Sequence, residues 1–239
     1  MEEKFNVKWN RALIFSVLFL AMVILALGDG YKGVLLPIIK DELSASHEQI
    51  GFLNSAVSFG NVLASLLAAF ALNHFGIKKT LIAGYLIVFG VMISFLFLPT
   101  FGVVTAAFSL LRFGFVIYLM GINGLAATAT SSPGKMLTLT HFFYGFGAIF
   151  GPTLAGFFLN NNIFTWETIF PATSVLVVVV LLITLPTKMP QIKSSAGHSQ
   201  EEKREQSKVS IGKILRMPEV WLFAVTASFL GQLEISTSL

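Results

Sequence analysis

Long apolar stretches alternate along the chain with short polar connectors. Seven stretches approach the about 20 residues that a helix needs to cross the hydrocarbon core of a bilayer. They cover residues 12–39, 50–72, 80–98, 103–129, 137–159, 169–185 and 220–239. Because lipid offers the backbone no hydrogen-bond partners, each stretch must satisfy its own peptide groups as a helix. The pattern predicts an all-α integral membrane protein.

One connector is much longer than the others. Residues 188–217 are rich in Ser, Gln, Lys and Glu, which is typical of a solvated linker. The sequence therefore predicts three parts. They are a six-helix transmembrane domain over 1–187, a linker over 188–217 and one further transmembrane helix over 218–239.

Composition agrees with a membrane location. The chain is 55% hydrophobic and 12% charged, with a mean hydropathy of +0.79, whereas soluble domains carry about 25% charged residues. There is no Cys for a disulfide or a thiolate metal site. The sequence also lacks a nucleophile–base–acid set, a phosphate loop and a cluster of metal ligands. We therefore expect a protein that is not an enzyme and has no cofactor.

The positive charges are distributed unevenly. If the spans alternate in direction, thirteen of the sixteen Lys and Arg residues fall on one side of the membrane. Loops rich in Lys and Arg are cytoplasmic, so we expect a multi-pass protein of the plasma or inner membrane with a cytoplasmic N-terminus and linker. The net charge of +4 then reports topology and gives no reason to expect nucleic acid. The thirteen are Lys4, Lys8, Arg11, Lys78, Lys79, Lys135, Lys188, Lys193, Lys203, Arg204, Lys208, Lys213 and Arg216.

The connector between the second and third spans carries a recognisable pattern. Residues 69–79, AFALNHFGIKK, resemble the signature loop of the major facilitator superfamily. Gly76, Lys78 and Lys79 match the family pattern. Asn73 stands where the family has a carboxylate that helps to latch two halves together. The resemblance implies a gating loop in which a neutral hydrogen bond would replace that carboxylate.

A second motif lies in the fifth span. Residues 147–156, GAIFGPTLAG, resemble the glycine–proline motif of that superfamily, which is strongest in proton-coupled drug antiporters. Gly147 and Gly151 share one helix face and permit close contact with another helix. Pro152 removes a backbone hydrogen bond and favours a bend, and Gly156 closes the motif. The motif predicts helix packing.

The first and seventh spans are also similar to those of this superfamily. DGYKGVLLP at 29–37 and FLGQLEISTSL at 229–239 resemble its fucose and glucose proton-symporter branch. Members have two six-helix halves around a central site. This chain supplies one half, a linker and one helix, so we expect a truncated or partial form, or assembly with a missing second half.

Ionisable residues inside spans are candidate site residues, because burying one at the bilayer centre costs about 2.5–3.5 kcal/mol or more. Asp29 and Lys32 are neighbours on one helix face and can neutralise each other. They form either an interfacial pair or a pair in an outward cavity, where Asp29 binds a proton or a substrate hydroxyl. Gly28, Gly30 and Gly33 leave room for close approach by substrate or helix.

Other polar residues lie within the spans. Arg112 is either a structural cation or the partner of a substrate anion or of Asp29. Glu234, in the seventh span, is a second candidate for substrate or proton binding. The uncharged candidates for hydrogen-bonding a polar solute are Asn123, Asn54 and Gln232.

Together these features predict a secondary, proton-coupled carrier of a small solute such as a sugar or a drug, working by alternating access. Its partners would be the bilayer, the solute and protons. The alternative is a membrane protein that does not transport: a sensor, a scaffold or an inactive truncated product.

Overall fold

The computed structural model describes residues 2–98 and 100–190 of the chain, with side chains from Asn10 onward. The described residues belong to one compact unit, Met1–Ile192. Most of the predicted linker and the whole predicted seventh helix, including Glu234 and Gln232, lie outside the described residues.

The described chain is helical throughout and contains no strand, which confirms the predicted fold class. Five of its helical segments are long and apolar enough to cross a membrane. The elements are α1 (Glu2–Glu42), α2 (His47–Ser94), a short 3-10 turn (Phe95–Phe97), α3 (Phe101–Thr128), α4 (Pro133–Asn160) and α5 (Trp166–Thr184).

Helix α2 is two helices joined at a turn. A straight helix of its 48 residues would be about 72 Å long, more than twice the thickness of a bilayer core. Gly76 interrupts it with a φ of 78° and a ψ of 172°, which are not helical. Only glycine adopts that region readily, because it has no Cβ. We call residues 47–75 the first arm of α2 and residues 77–94 the second arm.

The first arm runs parallel to α3. A Cβ added to Gly60 would lie 3.2 Å from the carbonyl oxygen of Ser109. Twelve residues further along the first arm, Leu72 lies beside Gly124 of α3. The two helices therefore advance in the same direction.

The second arm runs the other way. A Cβ on Gly84 would lie 2.6 Å from the Cβ of Tyr118, and one on Gly114 would lie 2.8 Å from Val88 Cγ2. As the second arm advances, its contacts move back along α3. The chain therefore reverses at Gly76, and the described residues form six long helical segments, the two arms of α2 and the four other α-helices.

Helix α1 packs against α4 along a line of small residues. A Cβ on Gly147 would lie 2.8 Å from Ala26 Cβ and 3.0 Å from the carbonyl oxygen of Val23. Gly151 follows one turn later, 3.3 Å from Leu27 Cα by the same measure. The two motif glycines thus lie in a helix contact. A Cβ on Gly156 would meet no atom within 4 Å.

The ends of the bundle are tied by polar contacts. The Asn10 side chain donates to the Lys188 carbonyl at 3.0 Å and accepts from its backbone N–H at 2.8 Å. Lys78 Nζ donates to the carbonyls of Leu185 and Thr187, at 2.6 and 3.2 Å. Cations suit the C-terminal end of a helix, whose last carbonyls have no helical partner.

The same end gathers the other described cations of the predicted cytoplasmic loops. Arg11 lines a cavity of about 210 Å³ with Thr130 and Ser131, at the connector between α3 and α4. Lys135 lies in the first turn of α4, directly after that connector. We call this the basic end. At the opposite end, the indole N–H of Trp166 donates to Glu42 at 2.6 Å.

Replacing Gly76 by Ala tests the reversal. We expect Gly76→Ala to lower the free energy of unfolding by about 1–3 kcal/mol, because a Cβ is strained in this backbone conformation. Gly90→Ala is the matched control, since a Cβ there meets no atom within 4 Å and the position is helical. It should be neutral or stabilising by up to about 1 kcal/mol. Denaturation of the purified protein in detergent measures both, and equal behaviour would contradict the turn.

A second pair of variants tests the contact between α1 and α4. Gly147→Ala places a methyl group against Ala26 and the Val23 backbone, so it should separate the helices and lower the thermal midpoint. Gly145→Ala, two residues away, is the control: a Cβ at Gly145 would meet no atom within 4 Å, so this variant should not lower the thermal midpoint. If both variants melted at the wild-type temperature, the close contact between α1 and α4 at Gly147 would be contradicted.

Candidate functional site

An ion pair joins α1 to α3 inside the bundle. Arg112 Nη1 lies 3.0 Å from both carboxylate oxygens of Asp29. Each side chain is about 31% exposed, so the pair is neither on open surface nor sealed in the core. Of the two partners the sequence offered for Asp29, the structure places Arg112 in contact.

Two more helices contribute to this pair. Asn61, on the first arm of α2, accepts a hydrogen bond from Arg112 Nε at 2.9 Å. Tyr144, on α4, donates its hydroxyl to Asp29 Oδ2 at 3.0 Å. Four helices therefore meet at one carboxylate and one guanidinium. We call Asp29, Arg112, Asn61 and Tyr144 the charged network.

Lys32 takes a different partner from the one its spacing suggested. Its Nζ donates to Asn54 Oδ1, on the first arm of α2, at 2.8 Å. Asp29 lies one turn away on α1 and directs both of its oxygens at Arg112. The expectation that Lys32 neutralises Asp29 by direct contact is therefore wrong: Lys32 contacts Asn54, and Asp29 contacts Arg112.

The first arm presents a polar stripe to these cations, formed by residues 54, 58, 61 and 65. Their spacing of four, three and four keeps them on one helix face. Ser58 and Ser65 donate their hydroxyls to the carbonyls of Asn54 and Asn61, at 2.9 and 2.8 Å. Their lone pairs stay available as acceptors. In an apolar helix such a stripe faces polar partners rather than lipid.

The glycines near Asp29 divide into two kinds. A Cβ on Gly28 would lie 2.5 Å from the ring of Phe115, and one on Gly30 would lie 2.7 Å from Pro152. These two glycines serve close helix contact, and they leave no space for a solute. Beside Gly33, by contrast, a Cβ would meet no atom within 4 Å. The expected room for a substrate is therefore found at Gly33 alone among the three.

The remaining predicted site residues lie elsewhere. Asn123 is partly buried on α3, and its Oδ1 has no hydrogen-bond partner among the described residues. Asn73 and Lys79 are exposed at the basic end, on either side of the Gly76 turn, where Lys78 binds the end of α5. Within the described ranges, no group of three or more His, Asp and Glu side chains could hold a metal ion.

Asn61 and Tyr144 were not singled out as site residues from the sequence. The spacing of Asn54, Ser58, Asn61 and Ser65 is a usable signal for the first, because a periodic polar stripe in an apolar span is unusual. Tyr144 follows two phenylalanines at the start of a span, where aromatic residues are common for packing reasons alone. Nothing local distinguishes it.

The charged network can respond to a proton. As a carboxylate, Asp29 accepts hydrogen bonds from Arg112 and Tyr144. Once protonated it is neutral, its attraction to Arg112 falls and one of its oxygens becomes a donor. A single proton can therefore alter contacts that involve four helices.

Comparison with solved structures supports this architecture. The described fold is similar to that of the major facilitator superfamily proton:xylose symporter XylE bound to 6-bromo-6-deoxy-D-glucose, with a TM-score of 0.64 at 15% sequence identity. The alignment covers 75% of this chain and 46% of that chain, so this chain spans less than half of the symporter's length. At this identity the likeness concerns the fold alone.

Comparison of sequences gives the family. A search of curated proteins finds no significant match. The sequence profile of the Major Facilitator Superfamily, however, matches residues 18–238. That match runs across the six described helical segments and beyond them. The chain belongs to the Major Facilitator Superfamily.

Proposed function

We propose that this chain is part of a secondary carrier that moves a small solute across the cell membrane by alternating access, coupled to protons through Asp29. The observation that supports this most directly is the charged network, in which one carboxylate and one guanidinium connect four crossings. Intramembrane ionisable residues of this kind commonly mark ion or substrate pathways.

The interaction energy between Asp29 and Arg112 is comparable to the free energy needed to shift the carrier between two conformations. Two unit charges about 4 Å apart interact by about 4 kcal/mol at the effective dielectric typical of pairs near a protein surface. Shifting a two-state equilibrium from 1:99 to 99:1 needs about 5.5 kcal/mol. Protonation of Asp29 would therefore supply a large share of the bias between two arrangements of these helices. A bound solute would supply the remainder.

The loop at the basic end would act as the gate in this proposal. Lys78 anchors the turn at Gly76 to the end of α5. Asn73 and Lys79 remain exposed beside it and would contact a second half-bundle when the basic end is closed. The second half would belong to a longer form of the protein or to another chain.

Orientation follows from the charges. The basic end would face the cytoplasm, because loops rich in Lys and Arg are retained there. Lys40, which lies beside His47 at 3.2 Å, would then be on the outer side with the Trp166–Glu42 contact.

Uptake by cells that express the complete carrier, with both halves, tests the coupling role. We expect Asp29→Asn to reduce proton-driven uptake of a transported solute by at least about tenfold, a change of only about 1.4 kcal/mol. A panel of pentoses, hexoses, small organic anions and lipophilic cations would identify the solute. Undiminished proton-driven uptake by Asp29→Asn would remove Asp29 from the mechanism.

A second variant separates coupling from folding. Asp29→Asn leaves Arg112 with its charge uncompensated, which is itself destabilising. The double variant Asp29→Asn with Arg112→Gln removes both charges and should restore thermal stability without restoring proton coupling. If it restored proton-driven uptake as well, the pair would have a structural role only.

Cysteine labelling tests the orientation, and the chain has no native Cys to interfere. Ser131→Cys and Asn160→Cys lie at the two ends of α4 and are both exposed. In intact cells, a membrane-impermeant maleimide should label Asn160→Cys directly and Ser131→Cys only after permeabilisation. The reverse pattern would place the basic end outside the cell.

A further inference from the structure

We propose that the transported solute is an anion, carrying a carboxylate or phosphate group that binds at Lys32. This inference rests on the proposed function and specifies its substrate class. It arises from the charges at the site, which are two cations, Lys32 and Arg112, against the single carboxylate of Asp29.

The two cations are not equivalent. Arg112 has both oxygens of Asp29 within 3.0 Å, so its charge is compensated by direct contact. Lys32 contacts the neutral amide oxygen of Asn54 at 2.8 Å. The described ranges contain a single ion pair of Lys or Arg with a carboxylate, and Lys32 is not part of it. One positive charge therefore remains at the site.

A surplus charge inside a membrane protein favours a ligand of opposite sign. Asn54 compensates Lys32 only through the dipole of its amide, and an ammonium group has three donor hydrogens. A carboxylate or phosphate would bring full negative charge and further acceptors to those donors. A neutral sugar would leave the charge in place, and a cation would add to it.

The structure also offers an approach to Lys32. Gly33, its neighbour, is exposed and has no atom within 4 Å of the place where a Cβ would lie. Ser58, one turn from Asn54 on the polar stripe, is also exposed. A solute that reaches Lys32 would therefore pass polar side chains of the first arm and the open side of α1.

Charged thiol reagents measure this property without knowledge of the solute. Ser58→Cys introduces the only thiol of the chain on the polar stripe. Because the two reagents differ in intrinsic reactivity, each rate is divided by that reagent's rate with a small free thiol. We expect the purified protein, at low ionic strength, to show a normalised preference for a negatively charged sulfonate methanethiosulfonate over its trimethylammonium analogue. Adding Lys32→Gln should reduce that preference by about threefold or more, because it removes the nearby positive charge.

Two further variants isolate the charge of Lys32. Lys32→Arg keeps the charge and should keep the preference. Lys40→Gln removes a lysine from the same helix, eight residues further toward the outer end, and should leave the preference unchanged. A normalised preference for the cationic reagent, a Lys32→Gln variant with an unchanged ratio, or a thiol that reacts with neither reagent would each overturn the proposal.

Competition tests binding itself. At constant ionic strength, succinate or inorganic phosphate should slow the reaction of the Ser58→Cys variant with the sulfonate reagent. Neither anion should slow it in the Ser58→Cys variant that also carries Lys32→Gln. Glucose should slow the reaction of neither variant. If neither anion had a Lys32-dependent effect, no anion site would exist there. Proton-driven uptake is a separate measurement, so loss of the anion site and failure of the carrier proposal are distinguishable.

Discussion

The bundle depends on the constraint that a charge inside a membrane needs a partner. Arg112 on α3 and Asp29 on α1 are 83 residues apart in the sequence, so they meet only through the packing of the two helices. Their contact therefore requires one register of α1 against α3. Asn61 and Tyr144 extend that requirement to the first arm of α2 and to α4. A slip of any of these helices by one turn, about 5.4 Å, would leave a charged or polar group unpaired in an apolar setting. The charged network therefore fixes the relative register of these helices, which the apolar surfaces alone would leave loosely specified.

Small residues make this register possible. Without a hydrophobic driving force between helices in lipid, close backbone contact contributes much of the association. Gly147 and Gly151 provide that contact between α4 and α1, and Gly28 receives the ring of Phe115 from α3. With α1 held closely by both neighbours, Asp29 lies within 3.0 Å of partners on each of them. Packing and charge pairing thus support one another around the same turn of α1.

The sequence predicted the features that depend on local patterns. Apolar length predicted long helices, which the described residues form, and Gly76 with its two lysines lies at the reversal within α2. The partner of Asp29 was left open, because sequence spacing favours neighbours on one helix, and Lys32 is such a neighbour. The actual contact comes from Arg112 on α3, and the two arms of α2 lie between α1 and α3 in the sequence. Tyr144 was missed for the same reason, because its role arises from a tertiary contact. Asn61 was missed although the periodic polar stripe that contains it is visible in the sequence. The roles of Glu234 and of the predicted seventh helix stay predictions.

The separation between Asp29 and Lys32 has a mechanistic consequence. A carboxylate already bonded to an arginine and a tyrosine is poorly placed to bind a solute as well, since both of its oxygens are occupied. In the proposed mechanism this carboxylate gains a proton, which weakens its contact with Arg112. Lys32 has the opposite character, because its charge is held by a neutral amide and can gain a stronger partner. With the two groups one helical turn apart, binding of an anion at Lys32 would compete with the field of Asp29. In the proposed mechanism, protonation of Asp29 would remove that repulsion, so that proton and anion would each favour the binding of the other.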